Sequence, residues 1–165
     1  MGKGVLITGG AGFLGSYVAD ELLRCGYKVR ALDNLWPQVH GDGATRPDYL
    51  NKEVELIVGD VRDPSAVKTA CDGVSIVVHF AACVGVAQSM YRIRSYSDTN
   101  VMGTAVLLEA LCAKNIEKLV VASSMSIYGE GLYVGPDGAV HENVSRQAHA
   151  LLDGQFEVLD ETGAI

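Results

Sequence analysis

The sequence predicts an α/β fold, a doubly wound parallel sheet with helices on both faces. Three observations carry that expectation. Short apolar, β-branched runs alternate with helical patterns over most of the chain, as βαβ units require. The first run, Val5-Leu6-Ile7, breaks at Thr8 into glycines at 9, 10, 12 and 15 and passes at once into a helical pattern. The later runs end at Asp33, Asp60, Ala81 and Ser123, small or polar residues at the strand ends where open α/β sheets hold ligands.

The chain has 165 residues, enough for one domain with a core. Hydrophobic residues make up 48% and charged residues 20%, a balance that excludes wholesale disorder. The net charge of −7 argues against nucleic acid or an anionic membrane as partner. Cysteines at 25, 71, 83 and 112 form no Cys-x-x-Cys pair and no metal-ligand spacing, so no metal site is read from them. They fall in or beside expected core elements, which predicts buried free thiols and a cytoplasmic protein. No apolar stretch reaches membrane-spanning length, and the N-terminal run is too short and glycine-broken for a signal peptide.

Strand, glycine turn and helix in this order form the context of a dinucleotide-binding fingerprint. Gly9 permits the tight turn. Gly12 lets backbone approach a pyrophosphate, and Gly15 lets the helix lie close on the strand. The helix N-terminus offers free N–H groups and the positive end of its dipole. The helix should run from Gly12 to Cys25, with Leu14, Val18 and Leu22 on one face and Gly26 as its left-handed cap. A second strand, Lys28–Leu32, ends in Asp33-Asn34. Asp33 lies eighteen residues past Gly15, where the motif places the acid that accepts both ribose hydroxyls and repels a 2′-phosphate. NAD is therefore expected over NADP.

Residues 35 to 52 read as a loop with a short helical piece. Trp36 and His40 are either ligand contacts or parts of a surface loop with one packed aromatic. The third strand, Glu53–Val58, leads to Asp60-Val61. Asp63 then caps a helix with Pro64 at its first position. The fourth strand, Val74–His79, is nearly all apolar and so central, with His79 a packed strand-end residue, and Phe80-Ala81-Ala82 follows where small side chains let backbone meet a cofactor. A long helix over 96–115 should bury Val101, Ala105, Leu108 and Cys112. Lys118–Ala122 reads as a further central strand running into Ser123-Ser124-Met125-Ser126-Ile127-Tyr128-Gly129. A hydroxyl there can hydrogen-bond a sugar oxygen while a hydride leaves the carbon. Past Gly131 the pattern weakens: Ser145 as cap of a helix through Leu152 to Gly154, a short strand at Phe156 and Val158, and a turn at Thr162-Gly163 are expected.

The Gly-x-x-Gly-x-x-Gly spacing with Phe13 inside it, together with the Ser-Ser-x-Ser-x-Tyr-Gly segment, resembles the extended short-chain dehydrogenase/reductase family, which includes nucleotide-sugar epimerases and dehydratases. The resemblance implies a Rossmann-like fold with five parallel strands in the order 3-2-1-4-5. It implies that Asp60 and Val61 hold the adenine and that Asn100 keeps the cofactor region in place. It also assigns Phe13, Leu14, Asn34, Phe80, Ala81, Ala82, Ala122 and Ser123 to the cofactor site. Ser124 matches the catalytic Ser/Thr, with Ser126 the alternate. Val84 stands where some relatives carry a lysine. Leu32–Gly41, Ala87–Tyr91 and Ala122–Gly131 look like the dTDP-L-rhamnose 4-epimerase branch.

The family's proton-transfer pair, Tyr-x-x-x-Lys, is missing. The residues four beyond the seven tyrosines are Glu21, Ala31, Glu53, Ser95, Asn100, Leu132 and Asp137, none of them lysine. The expectation is a Rossmann domain over 1–130 and an irregular extension over 131–165, truncated before a sixth strand. The whole protein would be an NAD-dependent nucleotide-sugar 4-epimerase acting as a homodimer through the 96–114 helix, and this chain alone would be inactive. The alternatives are a 4,6-dehydratase or reductase of the same family, or a non-catalytic NAD-binding module. Met125 and Ser126 stand where the dehydratase branch carries Asp-Glu, which counts against it.

Overall fold

A computed structural model describes residues 2–135, 137–142, 144 and 146–158. The chain divides into two units, Met1–Ala122 and Ser123–Ile165, where the expected boundary fell at 130/131.

The first unit is built on a parallel sheet of β1 (Gly4–Thr8), β2 (Lys28–Asp33), β3 (Glu55–Val58), β4 (Ile76–His79) and β5 (Lys118–Val121). Its order is β3-β2-β1-β4-β5, as expected. Val5 lies opposite Val29 on one side and Ile76 on the other, so β1 is fully flanked. Strand alternation splits the core into two layers. Val5, Ile7, Val29, Ala31 and Val78 point to one face, where Ala19 of α1 (Phe13–Arg24) packs. Leu6, Leu32 and Val77 point to the other, against Val67 of α3 (Pro64–Ala70) and Leu107 and Leu111 of α6 (Gly103–Cys112). The piece α2 (Pro37–His40) lies in the loop after β2, as the sequence suggested, and the single turn α4 (Val86–Ser89) follows β4. Asp63 caps α3 as expected, accepting the amide of Ser65 at 2.8 Å.

Four expectations need correction here. Of the expected face of α1, Val18 and Leu22 pack half-buried on the core, but Leu14 is exposed; the fully buried residues are Gly15, Ser16 and Ala19, because the first turn of the helix lies against the glycine turn at Gly15. The expected helix over 96–115 is α5 (Ile93–Tyr96), a π-helical segment Ser97–Met102, and α6. It buries Gly103, Leu107 and Leu111, whereas Val101, Leu108 and Cys112 face outward. Residues 105–112 are apolar on nearly every side, so periodicity does not single out the packed face. Close approach does: a Cβ at Gly103 would stand 2.6 Å from Cγ1 of Val61. Strand β5 is an edge among the described residues, with every residue exposed, despite an apolar run that reads as buried. Of the cysteines, Cys71 and Cys83 are buried, but Cys25 lies past the packed part of α1 and Cys112 on the outward face of α6.

The second unit holds a 3₁₀ turn Met125–Tyr128, a two-residue hairpin of β6 (Tyr133–Val134) with β7 (Val140–His141), and α7 (Ala148–Leu152). Gly154, at φ 75°, donates its amide to the Leu151 carbonyl and ends α7 as expected. The expected cap Ser145 lies outside the described residues, as does the turn at 162–163; Gln147 precedes the helix. No strand forms at Phe156 and Val158; the Phe156 carbonyl instead accepts Arg146 Nε at 2.6 Å, and Arg146 also pairs with Glu130 at 2.5 Å.

Candidate dinucleotide site

The sheet positions the site at the carboxyl ends of β1 to β4. There a cleft of about 350 Å³ is lined by Gly9, Gly12, Asp33, Asn34, Asp60, Val61, Phe80, Ala81 and Ala82, all named from the sequence. Trp36 and His40 line it too, which settles their position on the cleft side of the loop.

The glycine turn is shaped by contact. Gly9 has φ 69°, a left-handed backbone, and a Cβ there would stand 2.8 Å from the Ala81 nitrogen. A Cβ on Gly15 would stand 2.3 Å from the Gly9 carbonyl oxygen, so helix and turn touch. A Cβ on Gly12 would meet only that same oxygen, at 3.3 Å, and otherwise enter the cleft. No side chain caps α1. Its first-turn amides, those of Phe13 and Leu14 included, are the ones a helix leaves without internal acceptors. This is a cradle for a bound anion with backbone donors and no side chain in the way.

Asp33 is buried at the end of β2. Its Oδ2 accepts the amide of Ala11 at 3.0 Å, and its Oδ1 accepts the amide of Leu35 at 2.9 Å. Leu35 has φ 50°, a strained conformation for leucine, held by that bond and by burial. On the other side of the turn the Tyr49 hydroxyl donates to the Ala11 carbonyl at 2.7 Å. Ala11 is thus held through both its amide and its carbonyl, by a carboxylate and a phenol. A carboxylate oxygen has two acceptor sites, so Oδ2 can still take a hydroxyl, while the His40 Nε2 stands 3.6 Å from Oδ1.

Asp60 accepts the Arg62 guanidinium at 2.8 and 2.7 Å, the Arg62 amide at 2.8 Å and the Asn34 side-chain amide at 3.1 Å. These bonds, led by the guanidinium, hold its carboxyl down at about 2. Asn34 therefore orients Asp60 as well as lining the cleft. The opposite wall is Phe80–Cys83. Asn100, in the π-helical segment, clamps Cys83 at two points: its Oδ1 accepts the Cys83 amide at 2.8 Å and its Nδ2 donates to the Cys83 carbonyl at 3.0 Å.

A sequence model of the NAD dependent epimerase/dehydratase family matches residues 5–148, most of the chain. The chain belongs to that family. A dTDP-L-rhamnose 4-epimerase of Burkholderia thailandensis is 36% identical over 143 residues, covering 84% of this chain and 39% of that protein. A UDP-glucose 4-epimerase of Yersinia pestis is 37% identical over 128 residues, covering 76% of this chain and 38% of the relative. Among solved structures, the UDP-glucose 4-epimerase of Brucella ovis in complex with NAD superposes with a TM-score of 0.67 at 29% identity, over 84% of this chain and 42% of that one. The Thermus thermophilus UDP-glucose 4-epimerase complex with NAD gives a TM-score of 0.66 at 32% identity, over 88% and 43%. The chain thus spans about two fifths of the length of the relatives it matches. The expected cofactor is the one in the family's description.

In the first unit, Phe13, Leu14 and Ala122 do not line this cleft. Phe13 and Leu14 are 74% and 61% exposed. The Ala122 amide extends the β4 pairing by donating to the His79 carbonyl at 3.2 Å. In the second unit the Ser124 hydroxyl oxygen caps the 3₁₀ turn by accepting the Ser126 amide at 3.1 Å, and Ser123, Ser124 and Ser126 are exposed. Tyr49, Thr104 and Arg62 carry no signal in the sequence, and Thr8 is read there only as the end of the first strand. Each acts on the site through a partner distant in the chain or through a turn whose geometry had to be seen.

Proposed function

We propose that this chain is the NAD-binding N-terminal portion of a cytoplasmic nucleotide-sugar 4-epimerase. The observation that carries the reading is Asp33, a carboxylate buried beside the glycine turn whose two oxygens each accept one backbone amide. In this reading the first-turn amides of α1 take the pyrophosphate, Gly12 admits it, and Asp33 accepts the ribose hydroxyls and disfavours a 2′-phosphate. Asp60 and the Val61 backbone take the adenine edge, and Phe80, Ala81 and Ala82 lie along the dinucleotide, backed by Asn100. Bound NAD supplies a hydride acceptor and donor for the sugar C4. Ser124, with Ser126 as alternate, hydrogen-bonds the sugar oxygen, and the proton leaves to a Tyr-x-x-x-Lys pair that these 165 residues do not contain.

The substrate reading is dTDP-L-rhamnose, supported by the Leu32–Gly41, Ala87–Tyr91 and Ala122–Gly131 segments and by the Burkholderia thailandensis relative. A homodimer through the 96–114 helix, on the outward face where Val101 of the π-helical segment and Leu108 of α6 are exposed, completes the proposal. The test is calorimetry of the chain with NAD and NADP, followed by an epimerase assay. NAD binding with weak NADP binding and no turnover is expected. No NAD binding removes the reading, and turnover by this chain alone removes the claim that its base lies elsewhere. NADH accumulating with product in a longer protein would point to a dehydrogenase.

A further inference from the structure

Behind the Phe80–Cys83 wall lies a run of buried polar groups that the proposed function does not use. Thr8 Oγ1 is 2.7 Å from His79 Nδ1 and accepts the Ala81 amide at 3.2 Å. His79 Nε2 is 2.9 Å from Thr104 Oγ1, and the Thr104 hydroxyl donates to the Asn100 carbonyl at 2.6 Å. Proton counting orders the chain. A hydroxyl has one proton, and Thr104 spends it on a carbonyl that cannot donate back. Toward His79 it can only accept, so Nε2 carries the ring proton. A neutral ring then leaves Nδ1 bare to accept the Thr8 hydroxyl, whose oxygen is in turn free to accept the Ala81 amide. Every donor finds one acceptor. A protonated ring would bring a second donor to the Thr8 oxygen and displace that hydroxyl's proton. Thr8 is fully buried and His79 is 5% exposed, so water does not repair the defect. Burial itself lowers the affinity of the ring for a proton.

The two ends of this run are the two anchors of the wall. Thr8 holds Ala81, and Asn100, whose carbonyl Thr104 fixes, clamps Cys83 at two points. The wall would otherwise be tied at one end to the sheet and at the other to a π-helical segment. We propose that His79 and Thr104 are a positioning pair for the dinucleotide: they join the two anchors of Phe80–Cys83 into one strut through the neutral Nε2–H imidazole. The proposal rests on the reading of this cleft as an NAD site.

The experiment titrates NAD into the 165-residue chain carrying the native sequence, Thr104→Val or Thr104→Ser, at a temperature where all three are folded. Valine keeps the shape and removes the oxygen; serine restores it. Losing one partner of a buried hydrogen bond should raise the NAD dissociation constant about tenfold in Thr104→Val. Thr104→Ser should return it to within about twofold of native. Amide exchange at Ala81 and Cys83 should quicken in the valine variant while Ile7 on β1 is unchanged. A dissociation constant that ignores Thr104→Val overturns the positioning role, even if the melting temperature falls. Should the variants fail to fold, nitrogen NMR of the native imidazole near neutral pH decides: Nε2–H supports the strut, and Nδ1–H or imidazolium overturns it. A native chain that binds no NAD overturns the cleft reading and the strut's purpose together. Binding that is indifferent to Thr104 overturns the strut alone.

Discussion

The carboxylate of Asp33 accepts the amide of Ala11 at 3.0 Å, tying the end of β2 to the glycine turn that follows β1. The residue that reads the ribose in the proposed function therefore also builds the turn that would hold the pyrophosphate. Removing the whole side chain confounds the two roles. Asp33→Asn keeps the shape and one acceptor and removes the charge, but it turns an NH2 toward the Ala11 or the Leu35 amide, so its urea midpoint is measured beside its binding. Loss of a charge-assisted acceptor should weaken NAD binding about tenfold or more. The preference for NAD over NADP should narrow, because the 2′-phosphate no longer meets a carboxylate. Parallel calorimetric titrations with both cofactors check this, and unchanged curves would take Asp33 out of the site.

Gly12 and Gly15 separate binding from folding. The Cβ of Gly15→Ala would collide with the Gly9 carbonyl at 2.3 Å, a backbone atom that cannot swing away. Overpacking of this kind costs about 1–3 kcal/mol, read as a lower denaturant midpoint. Gly12→Ala makes one tight contact at 3.3 Å and fills cleft space. Its midpoint should stay near native while NAD affinity drops.

The packed face of α6 can be tested by a pair of neighbours. Leu107 is fully buried among Leu6, Val77 and Leu111, so Leu107→Ala should cost about 2–5 kcal/mol. Leu108 is 44% exposed, and Leu108→Ala should cost under about 1 kcal/mol. Equal losses in urea titrations would return the helix to the face its periodicity suggested.

That pair also marks what the sequence made legible. The strands and the glycine turn could be read because β-branched runs and Gly9, Gly12 and Gly15 answer to local constraints: burial, φ and close approach. The sheet order came with the family resemblance. Asp33 and Asp60 could be read because an acid at a strand end has a chemical reason to be there. The rest depends on meetings between distant residues. Tyr49 reaches Ala11 from 38 positions away, and Thr8 meets His79 across 71. No period encodes such pairs. The face of α6 was hidden by an excess of apolar residues, and β6 and β7, at two residues each, are too short to show alternation.

Acid should destabilise the chain in two separate windows. His79 is held below its ordinary value of 6.5 by burial, which penalises the charged ring. As pH falls below 6.5 the unfolded chain takes the proton first, so it binds more protons than the folded chain. Stability is full above 6.5 and declines below it, until the folded ring is also protonated. Asp60 sits at about 2 against an ordinary 3.8, chiefly through the Arg62 guanidinium. Its contribution is present above 3.8 and fades as pH falls toward 2. Urea midpoints measured across pH should fall in both regions. His79→Gln should flatten the upper decline and leave the lower one, whereas Arg62→Ala should blunt the lower decline and leave the upper. A His79→Gln profile that still declines below 6.5 would mean that another group titrates there and that His79 is not held neutral by the fold.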